Sequence, residues 1–295
     1  MSTSLSRIAL IAAALAGGTL ALASPRTARA DGKLTATVFT GSPAGFLVDS
    51  TLVAGDKDAI LIDGQFDLAD AHRLVSMILD SKKNLTTVYI THFHPDHYFG
   101  LGVVQQAFPK ARLVALPAVV DEIKRTWQDK VKQWAPLYGD LVPSQPMLPA
   151  PLAGSSLTLE GQTLEIHGGV QGDAEDNSYV WIPSIKTVVA GDIIYRGVHA
   201  WTRETTAAQR KAWRKTLDEL AALHPTTVIA GHKDPKQGDD AGAIDATRAY
   251  LDAFDAAVAS SKTSAEAQKK VKAKYPSAQL DIILQLGADA AFPAR

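Results

Sequence analysis

His92-Phe-His-Pro-Asp-His97 gathers three histidines and an aspartate into six residues, in a chain of 295 that carries only eight histidines. Imidazole and carboxylate bind divalent cations through nitrogen and oxygen, and with no cysteine anywhere no thiolate can take part. The same absence excludes disulfides, a cysteine nucleophile and a lipid-modified N-terminal cysteine. Alternate residues of an extended segment project to one side, so His92 and His94 can share one ion. Pro95 ends such a segment, and the turn it starts can carry Asp96 and His97 towards a second ion ~3.5–4 Å from the first, the separation of two-metal hydrolases. A lone His-x-His is commonly a pair of surface histidines, whereas His-x-His-x-Asp-His at a strand end is a narrow pattern. The chemistry it suits is attack by an activated water on a polarised carbonyl or similar centre.

Positioning such a cluster takes a rigid frame. The apolar run Thr87–Ile90 ahead of it reads as a buried strand. Before it come β-prone runs at Leu34–Thr40, Phe46–Val53 and Ala59–Ile62, the last two joined by a turn at Gly55–Asp58, which predicts an N-terminal antiparallel sheet. Leu68, Val75, Ile78 and Leu79 keep a helical period; Phe99–Ala107 reads as helix and Arg112–Leu116 as strand. Ala118–Tyr138 reads as a longer helix with Trp127, Val131, Trp134 and Tyr138 on one face, either core contacts or the wall of a pocket. Pro143, Pro146, Pro149 and Pro151 then enforce a loop. Strands restart at Ser156–Leu159, Thr163–His167, Tyr179–Ile182 and Thr187–Ala190, followed by helix Thr206–Leu223, strand Thr227–Ala230 and Ala-rich helices after Ala241. The β-then-α order occurs twice. This predicts an α/β fold with two sheets face to face and helices outside, a four-layer αββα sandwich, spanning residues 31–295 as one domain.

Composition narrows the partners. Hydrophobic residues make up 46% and charged residues 21%, an ordinary globular balance with a sizeable core. A net charge of −1 and the lack of a dense Lys/Arg stripe leave no cationic field for nucleic acid, so the expected partner is a small-molecule substrate. Residues 1–30 differ from the rest: Arg7, the apolar stretch Ile8–Ala23 interrupted by Gly17-Gly-Thr19, and Ala28-Arg-Ala30 have the parts of a secretory signal peptide. The expectation is a periplasmic or secreted protein with no stable membrane anchor after cleavage.

Thr91-His-Phe-His-Pro-Asp-His97 resembles the metal motif of the metallo-beta-lactamase fold superfamily, and the likeness extends in order along the chain. Asp63, in Ile60-Leu-Ile-Asp-Gly64, matches the family's early aspartate, which supports the metal loop. Asp192, in Val189-Ala-Gly-Asp192, matches the aspartate that bridges two metals, and His232, in Ile229-Ala-Gly-His232, the final histidine ligand. One element departs. Where the family carries a histidine, this chain has Gln171-Gly-Asp-Ala-Glu-Asp-Asn177, and the count back from Trp181-Ile-Pro183 puts Asp173 in that position, with Asp176 and Glu175 as competitors and His167 structural. The resemblance therefore implies the ligand set His92, His94, Asp96, His97, Asp173, Asp192 and His232 around two divalent ions, zinc first, with manganese or iron favoured further by a carboxylate in place of an imidazole. It implies Asp96 as the catalytic proton handler beside a hydroxide shared by both ions.

Substrate class is less constrained. The family includes β-lactamases, acyl-homoserine lactonases, thioesterases, sulfatases, phosphodiesterases and nucleases. An aspartate at 192 resembles the lactonase and thioesterase branches, export disfavours a cytosolic thioesterase, and near-neutral charge disfavours a nuclease. The expectation is a hydrolase of esters or lactones, with a β-lactamase as alternative and a non-catalytic exported metal- or ligand-binding module as a further one. Tyr195, His199 and Trp201 are candidate pocket residues, opposite Trp127, Trp134 and Tyr138, ordinary packing being the other account of all six.

Overall fold

The computed structural model describes residues 33–292; the signal-peptide expectation lies outside them. The first half runs β1 (Thr35–Thr40), β2 (Asp49–Ala54), β3 (Asp58–Ile62), α1 (Leu68–Asp80), β4 (Asn84–Ile90), α2 (Leu101–Ala107), β5 (Arg112–Ala115), α3 (Pro117–Tyr138) and β6 (Ala150–Pro151). The second runs β7 (Ser156–Leu159), β8 (Gln162–Val170), β9 (Asn177–Ile182), β10 (Thr187–Val189), β11 (Tyr195–Arg196), α4 (Ala207–Ala222), β12 (Thr227–Ile229) and β13 (His232–Lys233). Helices α5 (Gly242–Ala259), α6 (Ser264–Lys274) and α7 (Asp281–Ala291) follow.

One sheet has the order β1-β2-β3-β4-β5-β6 and the other β12-β10-β9-β8-β7, with β11 and β13 as a small parallel pair beside them. The inner strands β2, β3, β9 and β10 are buried on both faces, whereas β1, β6, β7 and β8 keep exposed positions. On β3, Ile60 and Ile62 face the opposite sheet, where they meet Val180, Ile182 and Ile229. Ala59 and Leu61, half a pleat away, face α1 with Leu74 and Ile78. A third apolar cluster joins Val188 and Val228 to Trp213 and Leu217 of α4 and to Leu251 and Phe254 of α5. Three cores between four layers make the αββα sandwich.

The expected N-terminal antiparallel sheet is present from β1 to β3, and β4, β5 and β6 extend it in parallel. Two expectations need correction. Phe46 and Leu47 are not strand but adopt left-handed φ of 63° and 55°, because the chain closes a short turn at Pro43–Gly45 before entering β2. The strand before the metal motif ends at Ile90, as expected, but the chain bends after it instead of running on extended. Asp63 takes the N–H and hydroxyl of Thr91 at 2.9 and 2.8 Å, which replaces ladder pairing, so His92 and His94 stand on a bend rather than an extended segment.

Candidate metal centre

The motif is anchored from three sides. Asp63, itself at φ 63°, holds Thr91 and also accepts from Nδ1 of His97 at 2.8 Å. Ser178 of β9 donates to the Thr91 carbonyl at 2.5 Å and receives the Tyr89 hydroxyl at 2.7 Å, a tie between the two sheets at the root of the loop. Pro95 starts a single turn, Pro95–His97, that brings Asp96 and His97 round to the side of His92. The rings of His92 and His94 end with centroids 4.8 Å apart, and those of His92 and His97 4.3 Å apart.

Chain segments far apart in sequence complete the cluster. Asp192 follows β10 in a short turn whose tip, Ile193, is pinned by the Trp213 indole N–H at 2.8 Å. His232 opens β13 and points its Nδ1 at the carbonyl of Phe46, 2.7 Å away, which is what the left-handed turn at Phe46 exposes. The loop before β9 delivers Asp173, fully buried, with Asn177 donating to it at 3.2 Å.

The ligand atoms of His92, His94, Asp173 and Asp192 lie within 4.8 Å of one another, and so do those of Asp96, His97, Asp192 and His232. All seven residues of the expected set are thus brought together, with Asp192 common to both groups. Glu175 and Asp176 are exposed, and Glu175 binds Gln209 instead. His167 stacks flat on Tyr179, away from the cluster, at 4.7 Å between centroids.

Hydrogen-bond partners assign the imidazole tautomers. A carbonyl or carboxylate can only accept, so Nδ1 of His232 and of His97 each carry a proton, and the Thr91 hydroxyl, already donating to Asp63, accepts from Nδ1 of His92. The Nε2 lone pairs of all three then point inward. His97 Nε2 faces Asp192 Oδ1 at 3.1 Å, and His232 Nε2 faces Asp192 Oδ2 at 3.1 Å and Asp96 Oδ2 at 3.3 Å. Lone pair opposed to carboxylate is repulsive unless a cation sits between. His92 Nε2, His97 Nε2 and Asp192 Oδ1 are buried with no hydrogen-bond partner, as a bound divalent ion would require.

The electrostatics agree. Burial disfavours imidazolium at His94, but the Asp173 carboxylate outweighs it and lifts the ring to about 10. Burial likewise opposes charge at His232, and Asp192 lifts it to about 10. Burial would raise Asp192, yet His232, His97 and His92 hold it well below the usual carboxylate range. The same contest lowers Asp96. Protons on the imidazoles balance the carboxylates where ions are lacking, so the donor set fits divalent cations.

The cleft above the cluster encloses about 680 Å³ of empty space counted to its open mouth. Phe46, Phe66, Trp134, Trp201 and Ile283 form its apolar walls, and His199, Lys130 and Arg203 its polar ones. Trp134 meets Phe46 and Phe66 edge-on at 5.3 and 5.5 Å. Of the aromatic candidates, Tyr195, His199, Trp201 and Trp134 line the cleft; Trp127 packs on the core behind it, and Tyr138 spends its hydroxyl on the Ala44 carbonyl. Tyr195 does more than line: its hydroxyl lies 2.8 Å from Asp192 Oδ2 and 3.1 Å from Asp173 Oδ2. Glu204, which the sequence does not single out, lies 3.1 Å from His94 Nε2. Its contact partner stands 110 residues away, so no local spacing signals it.

With this geometry in place, comparison with known proteins is decisive at the level of family. Residues 43–232 match the family model described as the metallo-beta-lactamase superfamily. The chain belongs to the metallo-beta-lactamase superfamily. It is 27% identical over 190 residues to a metallo-beta-lactamase type 2 of Bacteroides fragilis, covering 62% of this chain and 68% of that protein. A metallo-beta-lactamase type 2 of Bacillus cereus is 22% identical over 179 residues, 60% of this chain and 63% of the relative. Among solved structures, a metallo-beta-lactamase family protein from Thermus thermophilus superposes with TM-score 0.62 at 20% identity, covering 88% of this chain and 91% of the other. A metallo-beta-lactamase from Pontibacter korlensis gives TM-score 0.55 at 19% identity, over 75% and 95%. At these identities the structural likeness speaks for the superfamily fold.

Proposed function

We propose that this superfamily member is a dinuclear metal-dependent hydrolase of a small-molecule ester or lactone. The observation that carries the proposal is Asp192, which belongs to two adjacent groups of ligands at once. A pair of divalent ions so held supplies a nucleophile derived from water and a Lewis acid for the scissile carbonyl. Zinc suits the four imidazoles; the carboxylates of Asp96, Asp173 and Asp192 also accommodate manganese or iron.

The remaining work falls to the protein. His94, Asp192 and His232 also line the cleft, but Asp96 is the most exposed member of the cluster, 15% against 0–6% for its neighbours. Its low pKa keeps it ionised, so an Oδ atom can accept a proton from attacking water and pass it to the leaving group. Burial, with Asp173 and Asp192 adding to it, keeps the Tyr195 phenol protonated, and the phenol steadies both carboxylates. The apolar walls take up the non-reacting part of a substrate and exclude water around it. The proposal extends to export, with the protein acting in the periplasm or outside the cell.

A second reading has its own support, because both relatives above are named metallo-beta-lactamase type 2: the substrate would then be a β-lactam. Proton release from metal-supplemented protein, over an aryl ester, acyl-homoserine lactones of two chain lengths and a cephalosporin, separates the two. Asp96→Asn is expected to lower turnover about 10²–10⁴-fold. Ester or lactone turnover lost in that variant supports the proposal, and cephalosporin turnover alone selects the second reading. Silence across the panel from metal-loaded protein would overturn both in favour of another leaving group or a binding module.

A further inference from the structure

Glu204 lies in the loop ahead of α4, and its two oxygens face different elements. Oε2 is 3.1 Å from Nε2 of His94, and Oε1 is 3.3 Å from Nζ of Lys130 on α3. The other nitrogen of His94, Nδ1, lies 2.9 Å from Oδ2 of Asp173. A neutral imidazole has one proton and a carboxylate can only accept it. An ion held between His94 and Asp173 needs the lone pair of Nδ1, so the proton must reside on Nε2, where Glu204 receives it. We infer that Glu204 is a positioning residue for the ion of the His92–His94–Asp173–Asp192 group, fixing the tautomer and ring plane of His94 and coupling them through Lys130 to helix α3.

This rests on His94 being a ligand, as the proposed function has it. The other three histidines of the cluster find their outward partner in the frame that carries the motif or closes on it: the Thr91 hydroxyl, Asp63 and the Phe46 carbonyl. His94 alone takes its outward partner from the flexible end of a side chain at the cleft wall. That side chain is itself braced. Lys130, 15% exposed, stands 5.6 Å above the ring of Phe93, the residue between the two histidines, so its ammonium is held by a carboxylate on one side and an aromatic face on the other. Helix α3 is buried only at Val119, Val120 and Ile123 near its start. Its later turns reach the site through Trp134 and through the Lys130–Glu204 pair, so the wall of the cleft and the orientation of a ligand are joined by one ion pair. A carboxylate acceptor also makes the ligating nitrogen more basic than a carbonyl or hydroxyl would.

The test is metal binding by the full chain, read without turnover. Metal-free protein competes with a chromophoric chelator for zinc, and the cobalt-loaded protein gives an electronic spectrum that reports ligand geometry. E204A is expected to weaken one of the two ions about 10–100-fold and to alter the cobalt spectrum. E204Q, whose amide oxygen still accepts from Nε2, should fall between E204A and the wild type. K130M should weaken binding less than E204A and add nothing to it in the double variant, the signature of a shared path. A purely structural Glu204 would shift thermal unfolding of the metal-free protein and leave zinc affinity alone. Wild-type zinc affinity and cobalt spectrum in both E204A and E204Q overturn the inference; a wild-type chain that takes up no ion overturns the metal centre itself, a distinct outcome.

Discussion

Asp173 is the carboxylate that the family resemblance sets in the place of a histidine, and its surroundings say what a carboxylate does there. It is fully buried, 2.9 Å from His94 and within reach of the Tyr195 hydroxyl, so a negative charge occupies a place where an imidazole would be neutral. A harder, anionic donor favours ions that prefer oxygen. Asp173→His is expected to raise affinity for zinc relative to manganese, measured by competition of the two ions for metal-free protein; an unchanged ratio would mean that Asp173 does not ligate. Gly231 is the second residue whose identity the site dictates. A Cβ there would lie 2.0 Å from Asp192 Oδ1 and 2.6 Å from the Gly191 backbone. Neither is the free end of a flexible chain, so Gly231→Ala must displace the carboxylate that both ligand groups share. The expected outcome is a folded protein that has lost most of its capacity for two ions, counted by metal analysis after dialysis.

At the scale of elements, the site depends on two sheets keeping register across their interface. Ser178 on β9 donates to the Thr91 carbonyl just past β4 and accepts from Tyr89, all of it buried. Removing the hydroxyl leaves a carbonyl and a phenol unsatisfied, so Ser178→Ala should cost about 1–3 kcal/mol in a urea unfolding experiment and weaken zinc binding as the loop loosens. Loss of stability without loss of affinity would show that Asp63 alone holds the loop. These ties also mark what the sequence could and could not reveal. His92 to His97 stand together in the chain, and the β-then-α order was readable from hydrophobic period, so motif and layers were both legible. Asp192 and His232 were legible only through family likeness. Glu204, Lys130 and the Ser178 tie were not, since each acts across 74 to 110 residues with no local pattern to signal it. The two-residue strands β11 and β13 escaped for a different reason: a pair so short has no period, and it exists because the ends of the loops carrying Asp192 and His232 meet.

For the whole molecule, the C-terminal helices are tied to the cleft by His199. Its Nδ1 meets the Tyr250 hydroxyl of α5 at 3.0 Å and its Nε2 lies 3.4 Å from Asp281 of α7, while the ring is fully buried. Burial pushes the imidazole down to about 4 from 6.5, with Asp281 only partly opposing it, so His199 is neutral in the folded protein at pH 7. In the unfolded chain it titrates near 6.5, and between that value and about 4 the unfolded state binds the extra proton. Stability from this group is therefore present above pH 6.5 and falls as acid is added through the window, by an amount on the order of 3 kcal/mol at most. In metal-free protein His94 and His232, both lifted to about 10, stay protonated in the fold across that window while their unfolded forms take up protons near 6.5. This opposing contribution is shared by wild type and variant and cancels in their comparison. Unfolding by urea at a series of pH values, on chelated wild type and His199→Asn, isolates it. The variant starts less stable but should lose less on acidification, so the two curves converge towards about pH 4; parallel curves would mean that His199 is no more protected from its proton in the fold than outside it.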